Sequence, residues 1–103
     1  MNTITGLLYQ VRQYNALNYT RFNFYARKCH RKQRAIRKGT WDRNAIYLSE
    51  AEVVRLAETR AALRAMGREL SRDLRAMGYA AARNDCNKIV ALEHKETGEL
   101  IYV

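Results

Sequence analysis

Eight cationic side chains fall within the stretch ARKCHRKQRAIRKGTWDR, from Ala26 to Arg43: Arg27, Lys28, Arg31, Lys32, Arg34, Arg37, Lys38 and Arg43. A single acid, Asp42, sits among them near the end. A solvated helix ordinarily interleaves Glu at i±4 to relieve such repulsion, and this stretch does not. Phosphates would relieve it and release counterions, giving a salt-dependent affinity. Arginine can hold phosphate or guanine edges bidentately, and lysine acts as a point charge. The plainer alternative is a basic helix neutralised by Glu50, Glu52 and Glu58 of a neighbouring helix, three acids against eight bases.

A second stripe lies further along. Arg60, Arg64, Arg68, Arg72 and Arg75 share one flank of a helix, with Glu58, Glu69 and Asp73 mostly on the other. Some of these can pair locally, as Glu69 with Arg72. Tyr19, Tyr79 and Trp41 are candidates for stacking on bases. Other chemistry finds no support. Cys29 and His30 are adjacent and project about 100° apart on a helix, and Cys86 and His94 form no metal-ligand spacing. His30 lies among cations, and no Ser or Cys comes with a base and an orienting group. There is no glycine-rich phosphate loop. The expectation is a protein that is not an enzyme, with no cofactor and no metal.

The net charge of +9 is unevenly placed. Residues 1–41 hold nine Lys and Arg and no acid, whereas residues 42–103 hold ten of each sign. Such asymmetry points to a polyanionic partner and excludes a mimic of DNA. The first residues lack the pattern of a signal peptide, and no apolar run approaches ~18 residues. Two unpatterned cysteines read as free thiols in a reducing compartment. The expected location is cytoplasmic, without membrane contact.

These side chains need elements to carry them. The stretch SEAEVVRLAETRAALRAMGRELSRDLRAM places Val53, Leu56, Leu63, Leu70, Leu74 and Met77 at steps of three and four, one apolar seam along a helix. Ser49 and Glu52 form a capping box at its start. Upstream, Thr3 or Thr5 can cap a first helix, with Gly39 ending it. Ile4, Leu7, Leu8, Val11, Tyr14, Phe22, Tyr25, Cys29 and Ile36 share its apolar face, interrupted by Asn15, Asn18 and Gln33, which can fix register. Tyr9, Leu17 and Phe24 lie on the far side. The short linker from Gly39 to Tyr47 predicts an antiparallel return. That return puts Phe22 near Leu63 to Gly67, where the missing side chain of Gly67 would admit it, and Val11 near Leu74 to Met77. Trp41 is expected over the loop end. Gly39 and the linker also break the continuous helix that a basic zipper needs.

The tail KIVALEHKETGELIYV reads as two strands joined by a turn at Glu96-Thr97-Gly98. Both faces of each strand are apolar, and a lone hairpin is marginal in water. The expected fold is therefore α+β: a long antiparallel helical hairpin followed by a C-terminal two-stranded β-hairpin. Its single domain divides into a first helix over 3–38, a linker over 39–48, a second helix over 49–83, with Gly78 as an alternative end, and the β-hairpin over 87–103. The leading functional expectation is a small non-catalytic nucleic-acid-binding protein. Its phosphate contacts come from Arg27, Lys28, Arg31, Lys32, Arg34, Arg37 and Lys38, assisted by Arg64, Arg68 and Arg72. The alternative is a small phage-type inhibitor or modulator docking on an acidic protein surface of a host enzyme, favoured by exposed Tyr9, Leu17 and Phe24. A homodimer through the C-terminal β-hairpin is a further expectation.

Overall fold

A computed structural model of the chain describes residues 3–103. Two helices, α1 (Ile4–Lys38) and α2 (Glu50–Ala76), are followed by a three-stranded antiparallel sheet, β1 (Tyr79–Arg83), β2 (Ile89–His94) and β3 (Leu100–Tyr102), with β2 in the middle. The helix starts are those the sequence marks. The Thr3 hydroxyl accepts from the Gly6 N–H, and Ser49 and Glu52 close a reciprocal capping box. Gly39 ends α1 in the left-handed conformation.

The second helix stops seven residues short of the expected Arg83. Gly78 adopts φ +79°, a conformation costly for any residue with a side chain, and turns the chain out of the helix. The next residues, Tyr79-Ala80-Ala81-Ala82-Arg83, favour helix by intrinsic propensity. They form a strand instead because β2 has two edges to satisfy and Gly78 delivers them to one of them. The register runs from Tyr79 opposite His94 to Arg83 opposite Ile89, with an irregularity between Ala82 and Arg83. The expected hairpin thus supplies two strands of three.

The core lies at the sheet end. Leu7, Val11 and Tyr14 of α1, Leu63, Leu70 and Leu74 of α2, and Ile89 and Leu92 of β2 pack together. The faces differ from those expected on α1. Leu7, Tyr14, Leu17, Phe24 and Ala35 fall on a heptad-like row, and all are buried or half-buried; Phe24 and Leu17 therefore turn inward. Phe22, Tyr25, Cys29 and Ile36 are exposed. Their row is continuous with Val11, Asn15 and Asn18, the face that the sheet covers. Asn15 exchanges both hydrogen bonds with the backbone of Ile89, at 2.9 Å each, and Asn18 donates to the Cys86 carbonyl. The asparagines thus dock a strand rather than set the register of two helices. Beyond Asn18 the sheet ends and the row emerges into solvent.

Register differs by about one helical turn from that expected. Gln10 donates to Asp73, and Tyr14 fills the space beside Gly67, where an added Cβ would sit 3.6 Å from the Tyr14 ring. Tyr14, and not Phe22, uses the gap. The molecule measures 56 × 23 × 18 Å. Its outer half is a two-helix arm in which, among residues 22–62, only Phe24, Ala35 and Leu56 are buried.

Candidate functional site

The arm carries the basic run. Among the described residues its one ion-paired counter-charge is Glu52, positioned by the capping box: the carboxylate accepts from the Ser49 N–H and receives the Arg31 guanidinium in a two-bond fork at 2.6 and 3.1 Å. Arg27 reaches the same carboxylate at 3.4 Å. The Arg31 fork, then the Ser49 hydrogen bond, lowers the Glu52 pKa to about 2, and the same fork raises that of Arg31. Arg31 also donates to the Tyr47 carbonyl, tying the linker to α1. Among the described residues, Lys28, Lys32, Arg34, Arg37, Lys38 and Arg43 meet no carboxylate, and neither Glu50 nor Glu58 joins an ion pair.

At the loop end, Lys28, Lys32 and Arg43 surround a hollow of about 200 Å³ with Trp41, Asp42, Ala45 and Tyr47. The linker folds on itself there, the Asp42 N–H donating to the Tyr47 hydroxyl and the Asp42 carboxylate accepting from the Asn44 N–H. Trp41, expected to cover the hairpin end, is 49% exposed, so its ring is open to a ligand.

A second basic feature lies between arm and body. Arg60, Arg64, Arg68 and Arg75 of α2, Arg21 of α1 and Arg83 of β1 line an open groove of about 560 Å³, whose lining includes no acid. Tyr14, Leu63, Gly67 and Ser71 complete it. Arg83 is anchored: it donates to the Tyr14 hydroxyl and to Asn87, and its guanidinium lies over the Tyr14 ring at 5.2 Å. Arg21 donates to the Asn18 side chain at 2.7 Å, while its Nε is buried without a hydrogen-bond partner. Arg60 lies over the half-open Tyr25 ring at 5.5 Å.

Of the residues expected to bind, Arg27 and Arg31 are committed to Glu52, and Lys28, Lys32, Arg34, Arg37 and Lys38 stay on the arm. Arg64 and Arg68 enter the groove. Arg72 does not line it; it approaches Asp73, not Glu69, at 3.6 Å. Arg21 and Arg83 were not foreseen. Arg21 could have been found from its place seven residues after Tyr14 on one helix row, whereas Arg83 reaches the groove only because β1 is a strand. Tyr79 packs against the core and edge-on to His94, out of reach for stacking, while Tyr19 is exposed. No helix among the described residues is long and apolar enough to cross a membrane. No protein-family profile, curated protein or solved structure matches this chain.

Proposed function

We propose that the chain is a small non-catalytic nucleic-acid-binding protein whose arm grips phosphates. One observation carries the reading: among the described residues Glu52 is the one carboxylate in ion-pair contact with the basic run, and it is taken up by Arg27 and Arg31. Lys28, Lys32, Arg34, Arg37, Lys38 and Arg43 are left to exchange counterions for phosphates. Six such contacts correspond to a slope of log affinity against log salt of about −4 to −5. Trp41, the only tryptophan, stands among these cations and reports their occupancy. Two free thiols suit a reducing compartment, and the reading places the protein in the cytoplasm.

The test is a Trp41 fluorescence titration with oligonucleotides from about 50 to 300 mM salt. The triple variant Arg34→Gln/Arg37→Gln/Lys38→Gln, all exposed positions, should flatten the slope by about 2. A slope near zero, or no binding at the lowest salt, overturns the proposal. Retention of one acidic protein from nuclease-treated lysate, with no binding to nucleic acid, would shift the partner to an acidic protein surface. Of the apolar residues that favoured such docking, Tyr9 alone stays well exposed.

The sheet offers a site for a second copy. β3 is an edge strand whose Leu100 and Tyr102 are 47% and 76% exposed, and an antiparallel β3–β3 contact would extend the sheet across a two-fold axis. Sedimentation should show a concentration-dependent dimer that Tyr102→Lys abolishes; a monomer throughout rejects this contact.

A further inference from the structure

We infer that the arginine groove and the two aromatic rings beside it form a track for one single strand of nucleic acid. This rests on the nucleic-acid reading above and specifies its substrate. Three features converge. Arg60, Arg64 and Arg68 stand four residues apart on α2, a rise of about 6 Å per step, close to the distance between successive phosphates of an extended strand. Arg21 and Arg83 face them from α1 and β1, so the groove presents cations on both walls and no acid in its lining. The groove is open along its length and, at about 560 Å³, has room for a stretch of sugar-phosphate backbone.

The rings supply the second half. Tyr25 lies under Arg60, at the arm end of the groove, and is 37% exposed. Phe22 is three residues away on the same helix, so the two side chains are neighbours, and it is 50% exposed. The sheet that covers the same row stops at Asn18, which leaves both rings exposed, Tyr25 with Arg60 over one face. A charged groove beside exposed rings is the arrangement by which single strands are held, with phosphates on cations and bases stacked on aromatic faces. Bases paired inside a duplex cannot reach those rings. Every base has a face to stack, so the track reads strand state and not sequence.

The experiment uses the full chain and fluorescein-labelled oligonucleotides of one sequence, single-stranded and duplex, read by anisotropy at fixed salt. Wild type should prefer the single strand at least about tenfold. The variants Phe22→Ala/Tyr25→Ala and Arg64→Gln/Arg68→Gln change exposed side chains, and circular dichroism checks their folding. Each should lose about tenfold or more on the single strand, and the ring variant should leave duplex affinity in place. The arm variant Arg34→Gln/Arg37→Gln/Lys38→Gln should weaken both ligands. Equal binding of the two forms by wild type, or ring variants that change nothing, overturns the track and leaves the arm reading standing. Full competition by micromolar inorganic tripolyphosphate also overturns it, in favour of a compact oligophosphate. If wild type binds neither form, the nucleic-acid reading itself falls.

Discussion

Glu52 sits at the centre of the arm's chemistry, closing the capping box and receiving two arginines. Its pKa falls from 4.5 to about 2, so this ion pair contributes to stability above pH 4.5 and is lost as pH falls from there toward 2. Thermal melts of wild type should therefore lose stability over that window relative to Glu52→Gln, whose melting should change less with acid. Parallel curves would remove Glu52 from the account. Asn15 makes a second residue-scale case. Its side chain satisfies both the N–H and the carbonyl of fully buried Ile89. Asn15→Ala should cost about 2–4 kcal/mol in urea denaturation, because it strands a buried donor and acceptor together. A loss below about 0.5 kcal/mol, within the range of ordinary surface substitutions, would show that water replaces the amide. The capping box was legible because Ser, Glu and their spacing are local chemistry. The task of Asn15 was not, since its partner is backbone seventy-four residues away.

At the scale of elements, both helices and the last two strands follow from local signals, and the departures come from long-range pairing. Ala80, Ala81 and Ala82 prefer helix as a segment, yet the open edge of β2 recruits them. On α1 the apolar residues trace two rows. The richer one, through Phe22, Tyr25 and Ile36, looks like the seam, but the row through Tyr14, Leu17, Phe24 and Ala35 faces α2. Composition cannot tell which row meets a helix and which meets a sheet of limited length. The groove inherits the same limit: Arg60, Arg64, Arg68 and Arg75 were legible as a stripe, but the opposing walls depend on tertiary packing. Gly67 gives a prediction here. An alanine Cβ would rest at ordinary contact distance from Tyr14, so Gly67→Ala should gain up to about 1 kcal/mol of helix propensity without a clash. Urea denaturation checks it, and a destabilised Gly67→Ala would mean that Tyr14 needs the space.

Across the whole molecule the core and the basic run of α1 occupy opposite ends. The body joins both helices to the sheet around Leu7, Leu70, Ile89 and Leu92, whereas the arm buries Phe24, Ala35 and Leu56 and little else. Cations crowd the end that hydrophobic packing holds least, so repulsion opposes the arm's own folding. Salt should then act with two signs. Raising it from about 20 to 200 mM shortens the screening length from roughly 20 to 7 Å and relieves repulsion between exposed charges. Amide hydrogen exchange over residues 22–38 should slow as a result, while residues 7–18, beneath the sheet, change little. The same increase in salt weakens binding to phosphates, because each counterion released into a more concentrated solution gains less entropy. A bound oligonucleotide at low salt should slow arm exchange beyond what salt alone achieves, since phosphates neutralise the cations at contact distance. If exchange in the arm matches that of the body at every salt concentration, the arm is not the weakly held, charge-strained element described, and its cations need no partner to stabilise them.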